Sequence, residues 1–156
     1  MANFPPDISE LIKLFTEANV EFILVGAHAV GLHGLPRYTK DFDFFVNNTA
    51  ENAEKIINVL TQFIGPHSIT LADLTHPCNV VVLGAEPLRV DLLTYHDGIT
   101  FESAWKNATR MEYGGLPLVI LSLDDLIAVK RKTDRPQDRA DIARILELYP
   151  EKSVDP

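Results

Sequence analysis

The chain has 156 residues, 22 acidic and 14 basic side chains, a formal net charge of −8 and one cysteine. That length holds one domain, and a composition that is 46% hydrophobic and 23% charged is that of a folded globular protein, not a disordered one. A single Cys excludes an intrachain disulfide framework or cysteine zinc site, no apolar run approaches the roughly 20 residues of a membrane span, and the acidic balance argues against non-specific nucleic-acid binding.

The N-terminus, Met1 to Pro6, has no basic stretch followed by an apolar run, so no signal peptide is expected. With the lone Cys78, read as a small strand residue, this fits a reducing, cytoplasmic setting and no membrane partner. There is no internal repeat. The first helix is expected after Pro5-Pro6, with Asp7 to Glu10 as a capping box and Ile8, Leu11, Ile12 and Phe15 on its inner face. Phe22 to Val25 reads as a buried strand bounded by Gly26, and Ala27 to Gly34 as a short helix ended by Gly34. Asp41 to Val46 alternates acid and apolar residues, the period of a strand with one face in the core. Asn48, with Glu51 three residues on, predicts a capped helix whose core face is Ala53, Ile56, Ile57, Leu60 and Phe63.

Asn79 to Leu83 and Leu88 to Thr94 are expected as strands joined by a four-residue hairpin loop, Gly84 to Pro87. Phe101 to Asn107, with the only Trp, Trp105, reads as helical or irregular. Short strands are expected at Arg110 to Tyr113 and Leu118 to Leu121, around Gly114-Gly115. Ser122 caps a helix to about Lys132, Thr133 to Arg135 breaks it, and Pro136 opens a last helix that ends near Tyr149-Pro150. The fold class is α+β: a small mixed β-sheet with flanking helices and a helical C-terminus. It forms one domain over 1–156, with its sheet at about 20–121 and its C-terminal helices at about 122–149.

Three acids stand out. Asp41 and Asp43, at i and i+2 of a strand, share a face, about 6–7 Å apart at the strand rise. Asp91 sits in a later apolar strand on the face opposite Val90 and Leu92. Acids in apolar strands are costly unless paired or metal-bound, so neighbouring strands would make an oxygen site for Mg²⁺ or Mn²⁺. The plainer reading makes the Asp-x-Asp an exposed sheet face over a Phe42 and Phe44 core, and Asp91 a partner of Arg89. The order of strand, Gly turn, short helix and Asp-x-Asp strand favours a site.

Val25-Gly26-Ala27, a thirteen-residue spacer, Asp41-Phe42-Asp43 and the later Asp91 resemble the DNA polymerase β-like nucleotidyltransferase superfamily. More closely, Gly26 to Phe45 with Gly34, Arg37, Thr39 and Asp41 looks like the small bacterial nucleotidyltransferases related to the AbiEii toxin family. The stretches Ser122 to Lys130 and Arg135 to Asp138, with Asp141 after them, are similar to that group too. One departure is Ala27, which offers only a backbone N–H where the superfamily usually has Ser or Gly.

The resemblance implies a nucleotidyltransferase fold in which Asp41, Asp43 and Asp91 are catalytic and bind two Mg²⁺ ions (or Mn²⁺). Gly26, Ala27 and His28 at the turn, with Arg37 and Lys130, would contact the nucleotide. Lys130 is read equally as part of a solvated helix face. Asp138 and Asp141 are expected to pair with Arg135, Arg139 or Arg144, and His33, His67, His76 and His96 show no zinc-ligand spacing. The implied activity moves a nucleoside monophosphate from an NTP to a hydroxyl acceptor on an RNA end, a protein or a small molecule. A cognate toxin or antitoxin would be the partner. Two other readings stay open: a non-catalytic binding partner of the same fold, and a metal-dependent nuclease or phosphohydrolase. Five of the 14 basic residues fall between Lys130 and Arg139, a patch that permits RNA but is diluted by Asp134 and Asp138.

Overall fold

The computed structural model describes residues 4–35, 39–85 and 88–153. The expected Arg37 contact therefore lies outside the described residues. Strand β1 (Phe22–Val25) lies antiparallel to β2 (Asp41–Val46) and parallel to β6 (Leu116–Ile120). β2 runs parallel to β4 (Leu88–Leu93), β3 (Val80–Ala85) is antiparallel to β4, and β5 (Thr109–Tyr113) is antiparallel to β6. The result is one six-stranded mixed sheet in the order β3-β4-β2-β1-β6-β5.

Strand alternation sends the side chains to two separate apolar layers. Phe22, Leu24, Phe42, Phe44, Val46, Val90 and Leu92 point to one side, where α1 (Pro6–Glu17) and α3 (Ala50–Ile64) cover them. Ile23, Val25 and Phe45 point to the other, under α2 (Gly26–Leu32), α5 (Phe101–Asn107), α6 (Leu123–Thr133) and α7 (Pro136–Leu148). Phe42, Phe44 and Phe45 are all buried, as expected of core residues. Each fully buried Phe contributes about 1.5–3 kcal/mol of transfer free energy. Among the described residues no helix is long and apolar enough to cross a membrane.

Local details correct several expectations. Helix α1 starts at Pro6 with Pro5 as N-cap and no side-chain cap, so Asp7 to Glu10 is not a capping box. Helix α3 is capped by Thr49, which accepts from the Asn52 N–H, and not by Asn48. Val59 joins its buried face, while Ile57 and Phe63 are only partly buried. Asn52, 3% exposed, ties this helix to the start of β1. Its Oδ1 accepts from the Glu21 N–H at 2.7 Å and its Nδ2 donates to the Glu21 carbonyl at 3.0 Å. A short helix, α4 (Leu71–Thr75), was not expected; Thr70 and Asp73 close its capping box. The β3–β4 pairing continues through Gly84 and Ala85, so the hairpin loop is shorter than four residues. Cys78 is exposed and precedes β3 instead of lying in it. The last two helices match their sequence signals: Ser122 accepts from the Asp125 N–H at 3.1 Å, and Pro136 occupies the first turn of α7.

Candidate active site

β2 and β4 lie side by side, in a register that pairs Asp43 with Asp91 and Asp41 with Arg89. Parallel neighbours in register present the same face, so the three acids share the Phe45 side of the sheet. Asp41, at the strand's start, is exposed; Asp43 is half-buried; the Asp91 side chain is 15% exposed. The Asp41 N–H donates to the Thr39 hydroxyl at 3.1 Å.

The turn between β1 and α2 completes one wall. Gly26 has φ +71°, in the left-handed region, and a Cβ there would lie 3.2 Å from Asp43 Cγ and 3.3 Å from its Cβ. Only glycine lets the main chain turn this sharply against the Asp43 carboxylate. This is the physical content of the Gly motif read from the sequence.

Asp43 is pushed up to about 6, first by burial, then by the negative charges of Asp91 and Asp41 and a hydrogen bond with Asp91; Arg89 acts in the opposite direction. Crowded carboxylates in a partly dehydrated place disfavour full ionisation. Arg89 offsets part of the charge: its Nε donates to Asp91 Oδ1 at 2.8 Å and its Nη2 to Oδ2 at 3.2 Å. The pairing and the shared site, weighed as rivals in the sequence, coexist. Among the described residues no three His, Cys, Asp or Glu side chains stand in ready ligating geometry. The donor set is made of carboxylate oxygens, the chemistry that suits a hard divalent cation.

The other candidates are placed differently. The His28 ring stacks on Phe42, 3.8 Å between centroids and 8° between planes. Burial lowers its pKa, and its Nε2 has no partner among the described residues. Lys130 lies neither free for phosphate nor on a solvated face. Its Nζ donates to Asp141 Oδ2 at 2.7 Å and sits 3.6 Å from Asp138 Oδ1, and both acids are at most 2% exposed. Asp138 also accepts from Arg135 Nε at 2.8 Å and from the Thr133 hydroxyl at 2.6 Å. The Arg135 hydrogen bond holds its carboxyl well below the usual range. The expected arginine pairing thus holds for Asp138, whereas Asp141 takes Lys130 and Gln137. No sequence signal linked Lys130 to Asp141, because the contact spans the α6–α7 turn. His33 is structural, with Nε2 2.8 Å from the Leu121 carbonyl oxygen. A cleft of about 730 Å³ lined by Glu21, Asn52, Lys55, Trp105 and Arg110 includes none of the three acids.

The family described as nucleotidyl transferase of unknown function, DUF2204, matches residues 5–155. Among solved structures, a candidate nucleotidyltransferase from Thermotoga maritima is similar, with a TM-score of 0.57 and 16% identity, covering 93% of this chain and 91% of that one. An antigenic nucleotidyltransferase-like protein from Paracoccidioides brasiliensis gives a TM-score of 0.53 and 16% identity, covering 92% of this chain and 73% of that one. No curated protein matches. At this identity the structures bear on the fold alone.

Proposed function

We propose that this chain, which belongs to the DUF2204 family of nucleotidyl transferases of unknown function, transfers a nucleoside monophosphate from an NTP to a hydroxyl acceptor. The observation that carries the reading is the Asp43–Asp91 pair, in register across two parallel strands, with Asp41 on the same face and Gly26 packed on Asp43. In this reading Asp41, Asp43 and Asp91 would hold two Mg²⁺. Bound Mg²⁺ supplies charge neutralisation on the phosphates and a lower pKa for the attacking hydroxyl. The acceptor oxygen attacks the α-phosphorus, the bond to the β-phosphate oxygen breaks, and pyrophosphate leaves.

The rest is positioning, the main part of catalysis in phosphoryl transfer. The main chain at Gly26 and Ala27 receives the phosphates beside the acids. Arg89 keeps Asp91 oriented before nucleotide arrives. Lys130 serves as a phosphate contact only by exchanging Asp141 for a phosphate oxygen, so its first role here is to join α6 to α7. The finer kinship with AbiEii-type toxins, and a toxin or antitoxin role, rest on the sequence motifs. The acceptor class stays open among RNA, protein and small molecule.

The test is incubation with Mg²⁺ and α-labelled NTPs, followed by assay of pyrophosphate and of label on RNA and protein. Transfer that disappears in Asp43→Asn supports the reading; pyrophosphate release equal in wild type and variant overturns it. One observation favours a second reading, a non-catalytic binding partner: Arg89 occupies both oxygens of Asp91. That reading predicts neither pyrophosphate nor a thermal shift with NTP.

A further inference from the structure

The cleft of about 730 Å³ lies away from the three acids. It opens at the Phe22 end of β1, three residues and about 10 Å along the strand from Val25, which stands opposite Asp43. The sheet parts there: β1 and β6 pair at one position, Leu24 with Ile120, and Phe22 of one strand and Leu118 and Val119 of the other line the gap. Its volume is that of a small-molecule site. Two cations and two acids line it, Lys55 and Arg110 with Glu21 and Glu51. The acids are engaged: Glu21 Oε1 accepts from Asn47 Nδ2 at 2.8 Å, and Glu51 faces Lys55 at 3.6 Å. Arg110 has no carboxylate in contact among the described residues, yet its guanidinium is held in place. Its Cζ lies 4.8 Å from the centroid of the Trp105 ring, which is itself stacked with Phe101. Its Nη1 donates to the Trp105 carbonyl at 3.3 Å and to the Ala108 carbonyl at 3.5 Å, while Nε and Nη2 have no partner among the described residues. A guanidinium fixed in this way is a preorganised fork for an oxyanion.

We propose that this cleft binds a small carboxylate-bearing molecule with an apolar body. The carboxylate takes the free Nε and Nη2 edge of Arg110, and the apolar part covers Val20, Phe22, Met111 and Leu118. Charge selects a monoanion. Lys55 is matched by Glu51, which leaves one guanidinium to be met. A nucleoside triphosphate, or any multiply charged phosphate, would bring several negative charges beside Glu21 and Glu51 and is disfavoured. A neutral apolar molecule leaves the fork without an oxyanion, and a cation is repelled by it. A bare anion such as acetate leaves the apolar walls in water. The inference goes beyond nucleotide transfer and does not depend on it.

Trp105 is the only tryptophan and lines the cleft, so its fluorescence reports binding there. The test titrates the full chain with octanoate, followed by calorimetry and by Trp105 emission, against octanol, octylammonium, octyl phosphate and acetate. Octanoate is expected to bind saturably and to change the emission. The other four are expected to bind at least about tenfold more weakly. Arg110→Gln, at an exposed position, is expected to weaken octanoate at least about tenfold. Arg110→Lys, which keeps the charge and loses the fork, weakens it less, and Glu112→Lys, outside the cleft, leaves it unchanged. Binding is retained in Asp43→Asn, which separates this result from any loss of transfer. Absence of saturable octanoate binding, or binding indifferent to Arg110→Gln, overturns the proposal. So does octanol or octyl phosphate binding as tightly as octanoate, which would make the site a purely apolar or a phosphate one.

Discussion

The same fold treats two groups of aspartates in opposite ways. Asp138 and Asp141, at most 2% exposed, are the more deeply buried, yet each has a cation in contact: Arg135 and Lys130 for Asp138, and Lys130 for Asp141. Asp138 is held well below the usual carboxylate range, first by the Arg135 hydrogen bond and then by that of Thr133. Asp43 is less buried, yet it faces two further carboxylates and only the offset charge of Arg89, and it is pushed up to about 6. For Asp43 burial and its acidic neighbours push the same way, whereas for Asp138 the Arg135 hydrogen bond outweighs burial. A fully neutralised cluster holds helices together. An under-neutralised one costs stability, which is the arrangement expected where acids are kept for function.

The largest effect that would sharpen this contrast belongs to Lys130→Ala. Removing the ammonium takes away the buried cation that bridges Asp138 and Asp141, and denaturant unfolding should show a loss of about 3–5 kcal/mol. An unchanged midpoint would mean that the α6–α7 cluster is not structural. Next, Asp43→Asn is expected to reduce Mg²⁺-dependent transfer by at least about a hundredfold. The same change should raise the melting temperature of the metal-free protein at pH 7, because it removes a crowded negative charge. A fall in melting temperature would break the comparison.

Gly26→Ala follows. A Cβ at φ +71° is strained and meets the Asp43 side chain, so a loss of about 1–3 kcal/mol is expected together with reduced transfer. The smallest effect is in the pH dependence of stability, where the two acids act with opposite sign. Asp43 has a raised pKa, so the folded state keeps its proton after the unfolded chain has lost it. Its contribution to stability is present below about pH 4 and fades as pH rises to about 6. Asp138 has a depressed pKa, so its contribution is present above about pH 4 and is lost on acidification below that. Melting curves from pH 3 to pH 7 should show Asp43→Asn flattening a falling limb between pH 4 and 6, and Asp138→Asn flattening a rising limb at the acid end.

Much of this was legible in the residues. The alternation of Asp41 to Val46 predicted both the strand and its two faces, because a strand's period leaves no other arrangement. The spacing of Ile8, Leu11, Ile12 and Phe15 did the same for α1. Caps were less legible. Thr49 and Asn48 offer the same oxygen chemistry one residue apart, and the chain's entry from β2 decides which of them reaches the first turn. Helix α4 has too few residues for a periodic signal, and its capping box, Thr70 with Asp73, was its only mark. For the site, the three acids and Gly26 were visible from type and spacing. The engagement of Lys130 by Asp141 was not, since it depends on how α6 and α7 fold back on one another.

By itself the sequence determined the strand and helix periods and the separation of Asp41 and Asp43 from their phenylalanine neighbours. Those are local properties, set by side-chain chemistry and backbone dihedrals over a few residues. Only the tertiary structure decided that β4 lies next to β2 in a register that sets Asp91 against Asp43, that Lys130 reaches Asp138 and Asp141, and that β3 lies at an edge of the sheet. Strand order and register arise from packing two apolar layers on one sheet, and the electrostatic state of each acid follows from which charges that packing brings beside it.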